Sequence, residues 1–142
     1  MKKLIKKVKE NKKEIFIFLL IFVAFVFLRF YQFEERNPFA WDQVDNAWAA
    51  KNILVEHKFP LTGMQAKLNS GVFIGPLYYY YIAIFYFFTN LDPIASGIAA
   101  GFTAIITLFT IYFVFKNLFS QSVAFIAMII YTVAQIAIIG DR

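Results

Sequence analysis

Two carboxylates in one short stretch are the residues best placed for chemistry. In Pro38-Phe39-Ala40-Trp41-Asp42-Gln43-Val44-Asp45-Asn46-Ala47-Trp48, Asp42 and Asp45 stand three positions apart between two tryptophans. Apolar rings around a carboxylate disfavour its charged form, which lifts its pKa toward the range of a general base for an acceptor hydroxyl; paired carboxylates can instead help to hold a divalent cation. The spacing also has a structural meaning. Asp is a favoured helix N-cap, and an acid three residues on resembles a capping box, together worth about 1 kcal/mol to a helix start. Both meanings are compatible, because a capping carboxylate keeps one oxygen free. His57 has only the adjacent Glu56 beside it, which is no metal-ligand spacing. The sequence holds no Gly-rich phosphate loop, nucleophile elbow or HExxH run.

The acids belong to a run with helical character that extends to Glu56. Val44, Ala47, Trp48, Lys51 and Val55 recur at helical spacing on one face, the pattern of an amphipathic helix lying on a membrane surface. Lys58-Phe59-Pro60-Leu61-Thr62-Gly63 then stops it, with Pro and Gly as breakers.

Composition explains why a membrane is at hand. Of the 142 residues 61% are hydrophobic and only 16% charged, too apolar for a small water-soluble domain, while 20% aromatic residues exclude a disordered chain. Cysteine is absent, so no disulfide and no thiolate metal site forms. The net charge of +5 is concentrated at one end, where seven lysines fall within the first thirteen positions. Because this basic run abuts the apolar stretch Ile15 to Leu28, it reads as a cytoplasmic membrane flank, and nucleic acid is not expected as a partner. Residues 1–14 are expected as a basic cytoplasmic tail and 15–33 as a first transmembrane helix. That helix is read as an uncleaved anchor, since the bulky, charged residues after it offer no peptidase site. Arg29 near its outer end is expected to snorkel to the interface, or to meet an anion there.

Residues 34–71 are expected as an extracytoplasmic loop carrying the juxtamembrane helix. Residues 94–115 and 122–140, unbroken by Pro or charge, each suit a transmembrane helix. In the first of these, Gly97-Ile98-Ala99-Ala100-Gly101 fits the small-residue pattern of closely packed membrane helices. Residues 72–88 are ambiguous. Gly75-Pro76 interrupts them, and Tyr78 to Tyr81 follow, a composition that suits either an aromatic juxtamembrane segment or a short span. The chain is thus expected to be an all-α integral membrane protein with three or four crossings and a cytoplasmic N-terminus. It reads as the opening part of a longer protein.

The order of these features resembles the N-terminal module of polytopic glycosyltransferases with the GT-C fold. That branch holds the protein O-mannosyltransferases, the aminoarabinose transferases and their dolichyl-phosphate-mannose-like bacterial relatives. The resemblance runs from about Arg29 to Arg142, through Trp41-Asp42, His57-Lys58-Phe59-Pro60-Leu61-Thr62-Gly63 and Gly75-Pro76-Leu77-Tyr78-Tyr79-Tyr80-Tyr81. It implies transfer of a sugar from a polyprenyl-phosphate donor to an extracytoplasmic acceptor glycan, lipid or protein, in a prokaryotic plasma membrane. It implies Asp42 as the base, with Asp45 in support. Asp141-Arg142 falls where a second outer loop opens in the family, which favours three crossings and places Arg142 near the donor phosphate. Trp41, Trp48, Tyr78 and Arg29 are the candidates for substrate contact; interfacial anchoring is the plainer role of the aromatic ones. Many members have Glu directly after that Asp, whereas this chain has Gln43, which weakens a paired-carboxylate metal site. The sequence names no cofactor, and a divalent cation stays open. The other readings are a non-catalytic polytopic subunit or assembly factor, and a transporter segment. The latter suits the sequence less, because the acids lie in the loop and borders rather than inside the spans.

Overall fold

A computed structural model of the chain describes residues 2–36, 41–66 and 70–134, and their regular structure is helical apart from one antiparallel bridge, Gln65 with Phe73. The helices are α1 (Lys2–Phe30), α2 (Phe33–Arg36), α3 (Trp41–Leu54), α4 (Leu77–Phe88), α5 (Ile94–Leu118) and α6 (Gln121–Val133). They fall into two compact units. One combines α1 with the part of α5 from Thr103 and with α6; the other runs from Glu34 to Phe102 and holds α3, α4, the loop between them and the first part of α5.

In the first unit the buried positions follow four-residue steps on each helix: Ile21, Phe25 and Arg29 on α1, Ala104, Leu108 and Tyr112 on α5, Ala124, Met128 and Thr132 on α6. Such i, i+4 rows are the ridges by which helices interlock. Aromatic rings fill the spaces between them, with Phe18 edge-on to Tyr112 at 5.0 Å and Phe25 stacked on Tyr131 at 5.9 Å. At one end Glu14 accepts hydrogen bonds from Lys116 and Tyr112. At the other, Arg29 is 1% exposed. Its guanidinium lies 4.0 Å from the centre of the Phe25 ring and 4.7 Å from that of Tyr131, and it donates to the carbonyls of Tyr131 and Thr132 at 3.1 and 3.3 Å. These carbonyls end α6, where the helix dipole is negative. The expected snorkelling arginine is therefore turned inward, because the end of α6 supplies both acceptors and a ring.

Among the described residues α5 is the one helix long and apolar enough to cross a membrane. Its 25 residues give a length of about 37 Å against a hydrocarbon core of about 30 Å. The shorter apolar helices are α4, whose 12 residues span about 18 Å, and α6. Residues 135–140 of the expected last span lie outside the described residues, as do Asp141 and Arg142. α1 begins at Lys2 and continues unbroken into the apolar stretch, as suits lysine, a good helix former. α1 stops at Phe30 rather than Phe33, since Gln32 takes a left-handed φ of 52°.

The second unit packs Ala50 and Ile53 of α3 against Tyr79, Ile82, Ala83 and Tyr86 of α4, and Ala95 and Ala99 of α5 close the cluster. The small residues of α5 receive tyrosine side chains. Tyr86 Oη and Ser96 Oγ lie 2.9 Å apart, and Tyr81 donates to the Ala99 carbonyl at 2.8 Å. Between α4 and α5 the chain turns through Asn90 and Leu91, with φ of 53° and 66°. Asp92 then accepts from the Ile94 amide at 2.9 Å, and Pro93 occupies a first-turn position where no amide hydrogen is needed.

Candidate functional site

The site is organised by α3. Asp45, Trp48, Ala49 and Asn52 form one helical stripe, and they line a cleft of about 300 Å³ completed by Lys58, Phe59, Pro60 and Tyr79. Two local features build its far wall. His57 adopts φ 53° just past the helix, and the Lys58 amide donates to the Asn52 carbonyl six residues back at 3.0 Å, which closes the end of α3. This reversal brings residues 58–60 back beside the helix they follow. Tyr80 of α4 then donates to the Pro60 carbonyl at 2.8 Å and fixes the wall.

On the α4 side, Tyr79 donates to Asp45 Oδ2 at 2.5 Å. Burial, and then the Asp45 carboxylate, push the Tyr79 phenol well above its ordinary value, so Tyr79 remains a donor. Lys58 pairs with Glu56 at 2.6 Å in an exposed position, and its hydrogen bond holds the Glu56 carboxyl below its usual range. The cleft thus offers a carboxylate, an amide, an ammonium and aromatic walls, the groups that bind polyols and their phosphates.

Asp42 and Trp41 open α3, and only their backbone is described. By register Asp42 stands one turn before Asp45 on the cleft stripe. Because α3 already begins at Trp41, Asp42 lies inside the first turn rather than at an N-cap, and Asp45 is directed to Tyr79 instead of closing a capping box. Trp48 is exposed on the ridge between this cleft and a second one of about 220 Å³, lined by Val44, Ala47, Lys51, Tyr86 and Leu91; there Lys51 Nζ lies 4.6 Å from the Trp48 ring centre. Tyr78 is exposed and lines neither cleft. Its three successors each donate a hydroxyl hydrogen bond within the fold, Tyr79 to Asp45, Tyr80 to the Pro60 carbonyl and Tyr81 to the Ala99 carbonyl. Arg29 belongs to the first unit, and Arg142 lies outside the described residues.

Asn52, Lys58, Pro60 and Tyr79 are site residues that the sequence did not single out as such. The signal for Asn52 was present, seven residues after Asp45 and hence two turns along the same face. Among the described residues no three His, Cys, Asp or Glu side chains converge, and Asp45 turns to a phenol. No family model, no curated protein and no solved structure matches this chain.

Proposed function

We propose that this chain is the N-terminal part of a GT-C-type membrane glycosyltransferase that uses a polyprenyl-phosphate sugar and works on the extracytoplasmic side. The observation that carries the reading is the α3 stripe: an acid-bearing helix follows the first apolar helix and lines a cleft with a carboxylate, an amide, an ammonium and aromatic walls. In this reading the basic N-terminus is cytoplasmic, the chain crosses the membrane three times, and α4 lies at the outer surface. A donor whose tail stays in the bilayer keeps its sugar phosphate at headgroup depth, where a juxtamembrane cleft can meet it.

The acceptor hydroxyl attacks the anomeric carbon as the bond from that carbon to the phosphate oxygen breaks. The lipid phosphate leaves with the bonding electrons, and the acceptor proton passes to the Asp42 carboxylate. Asp45 holds Tyr79 and the polar wall in place, and Arg142 compensates the leaving phosphate.

In the full-length protein, Asp42→Asn is expected to abolish sugar transfer while membrane insertion stays intact. Transfer at the parent rate in that variant sinks the assigned base. Absence of turnover with every polyprenyl-phosphate sugar, together with co-purification of a partner, points instead to a non-catalytic subunit.

A further inference from the structure

Between α3 and the first turn of α4 the chain exposes large apolar side chains. Leu61 is 90% exposed, Leu77 79%, Phe59 62% and Phe73 54%, with Val72 and Ile74 exposed beside them. No spanning helix accounts for this, because the described residues between α3 and α4 contain no helix at all. From Phe59 to Leu91 the sequence has a single charged residue, Lys67.

The backbone of this stretch is organised as a narrow ribbon. Gly63 N donates to Ile74 O at 2.7 Å, Ile74 N to Met64 O at 2.9 Å and Ala66 N to Val72 O at 2.8 Å, while Val72 N also meets Ser70 Oγ at 3.2 Å. The pairing is close enough that a Cβ on residue 63 would stand 2.7 Å from the Gly75 carbonyl oxygen, which explains glycine there. Each backbone pairing lowers the cost of seating the segment at the headgroup boundary, where water still reaches polar groups.

We propose that this ribbon, residues 59–66 and 70–77, is seated in the outer leaflet of the bilayer that α5 crosses. Its apolar side chains would reach the boundary between headgroups and acyl chains, about 5–10 Å deep. Continuity selects lipid as the occupant: the ribbon leads through α4 and the Asp92-capped turn directly into the entry end of α5, all within one compact unit. The inference rests on α5 crossing a membrane and is independent of sugar transfer.

The chain has no cysteine, so single-cysteine variants carry one label each. The full chain is reconstituted in phosphatidylcholine–phosphatidylglycerol vesicles with an environment-sensitive fluorophore at Leu61→Cys or Phe73→Cys, at Glu56→Cys as the water-side reference, and at Ile106→Cys as the reference for α5. The expected result is blue-shifted emission at positions 61 and 73 that is quenched by shallow spin-labelled lipid and not by aqueous iodide, with the reverse at position 56. Iodide quenching at 61 and 73 overturns the proposal; if position 106 still responds to lipid, the crossing by α5 stands, and if it does not, that reading fails as well. Protection of 61 and 73 from both quenchers also overturns it, since the ribbon is then covered by protein.

Discussion

Asp45 and His57 show how far single residues in this chain depart from their most obvious meaning. The Asp45 carboxylate holds the Tyr79 hydroxyl, so the two should be energetically coupled. Asp45→Ala and Tyr79→Phe are each expected to cost about 1–2 kcal/mol, and the double variant little more than either alone, as thermal unfolding in detergent would measure. Additive losses would show that the two groups act separately. His57 is the single histidine of the chain, and its φ of 53° places it in the left-handed region. Glycine takes that geometry without a Cβ penalty, so His57→Gly is expected to stabilise the protein by about 1 kcal/mol in the same assay. Asp42 remains the residue on which the proposed chemistry turns, and its Asn variant separates loss of transfer from loss of structure.

Among the helices, α3 separates what spacing reveals from what it hides. Pro60 and Gly63 mark where it must have ended, and the face that carries Val44, Trp48 and Val55, the last two exposed, follows from helical spacing. The packed face does not, because Ala50 has no hydropathy contrast with Ala47 and Ala49; it is buried since a small side chain lets the tyrosines of α4 approach. The tyrosine run has the same ambiguity, as phenols serve a wet interface and an internal carbonyl equally well. Arg29 was legible in part: it continues the Ile21–Phe25 row at four-residue spacing, but the acceptor it meets lies more than one hundred positions along the chain. The α1–α5 tie leads to a pH prediction. Hydrogen bonds from Lys116, then from Tyr112, lower the Glu14 carboxyl below its ordinary value of 4.5. A depressed carboxyl contributes stability above its unfolded value and loses it as pH falls through the folded one, so resistance to unfolding should decline between about pH 5 and pH 3. Glu14→Gln is expected to flatten that decline, and an unchanged slope would remove Glu14 from its cause.

For the whole molecule, topology is the property with the largest consequences. The proposed three crossings would place Arg142 on the same side as the cleft, so a reporter fused after Arg142 is expected to read extracytoplasmic; a cytoplasmic signal contradicts that arrangement. Two compact units joined through one long helix also divide the labour, with carbonyl-bound arginine and aromatic stacking in one and the polar cleft in the other. The arginine carries a further consequence, one of time. Arg29 is made about a hundred residues before the Tyr131 and Thr132 carbonyls that receive it. At roughly 5–20 residues per second, the ribosome needs about 5–20 s to supply them. Until those residues are made the Arg29 end of α1 cannot take its final contacts, so a helix synthesised early settles late.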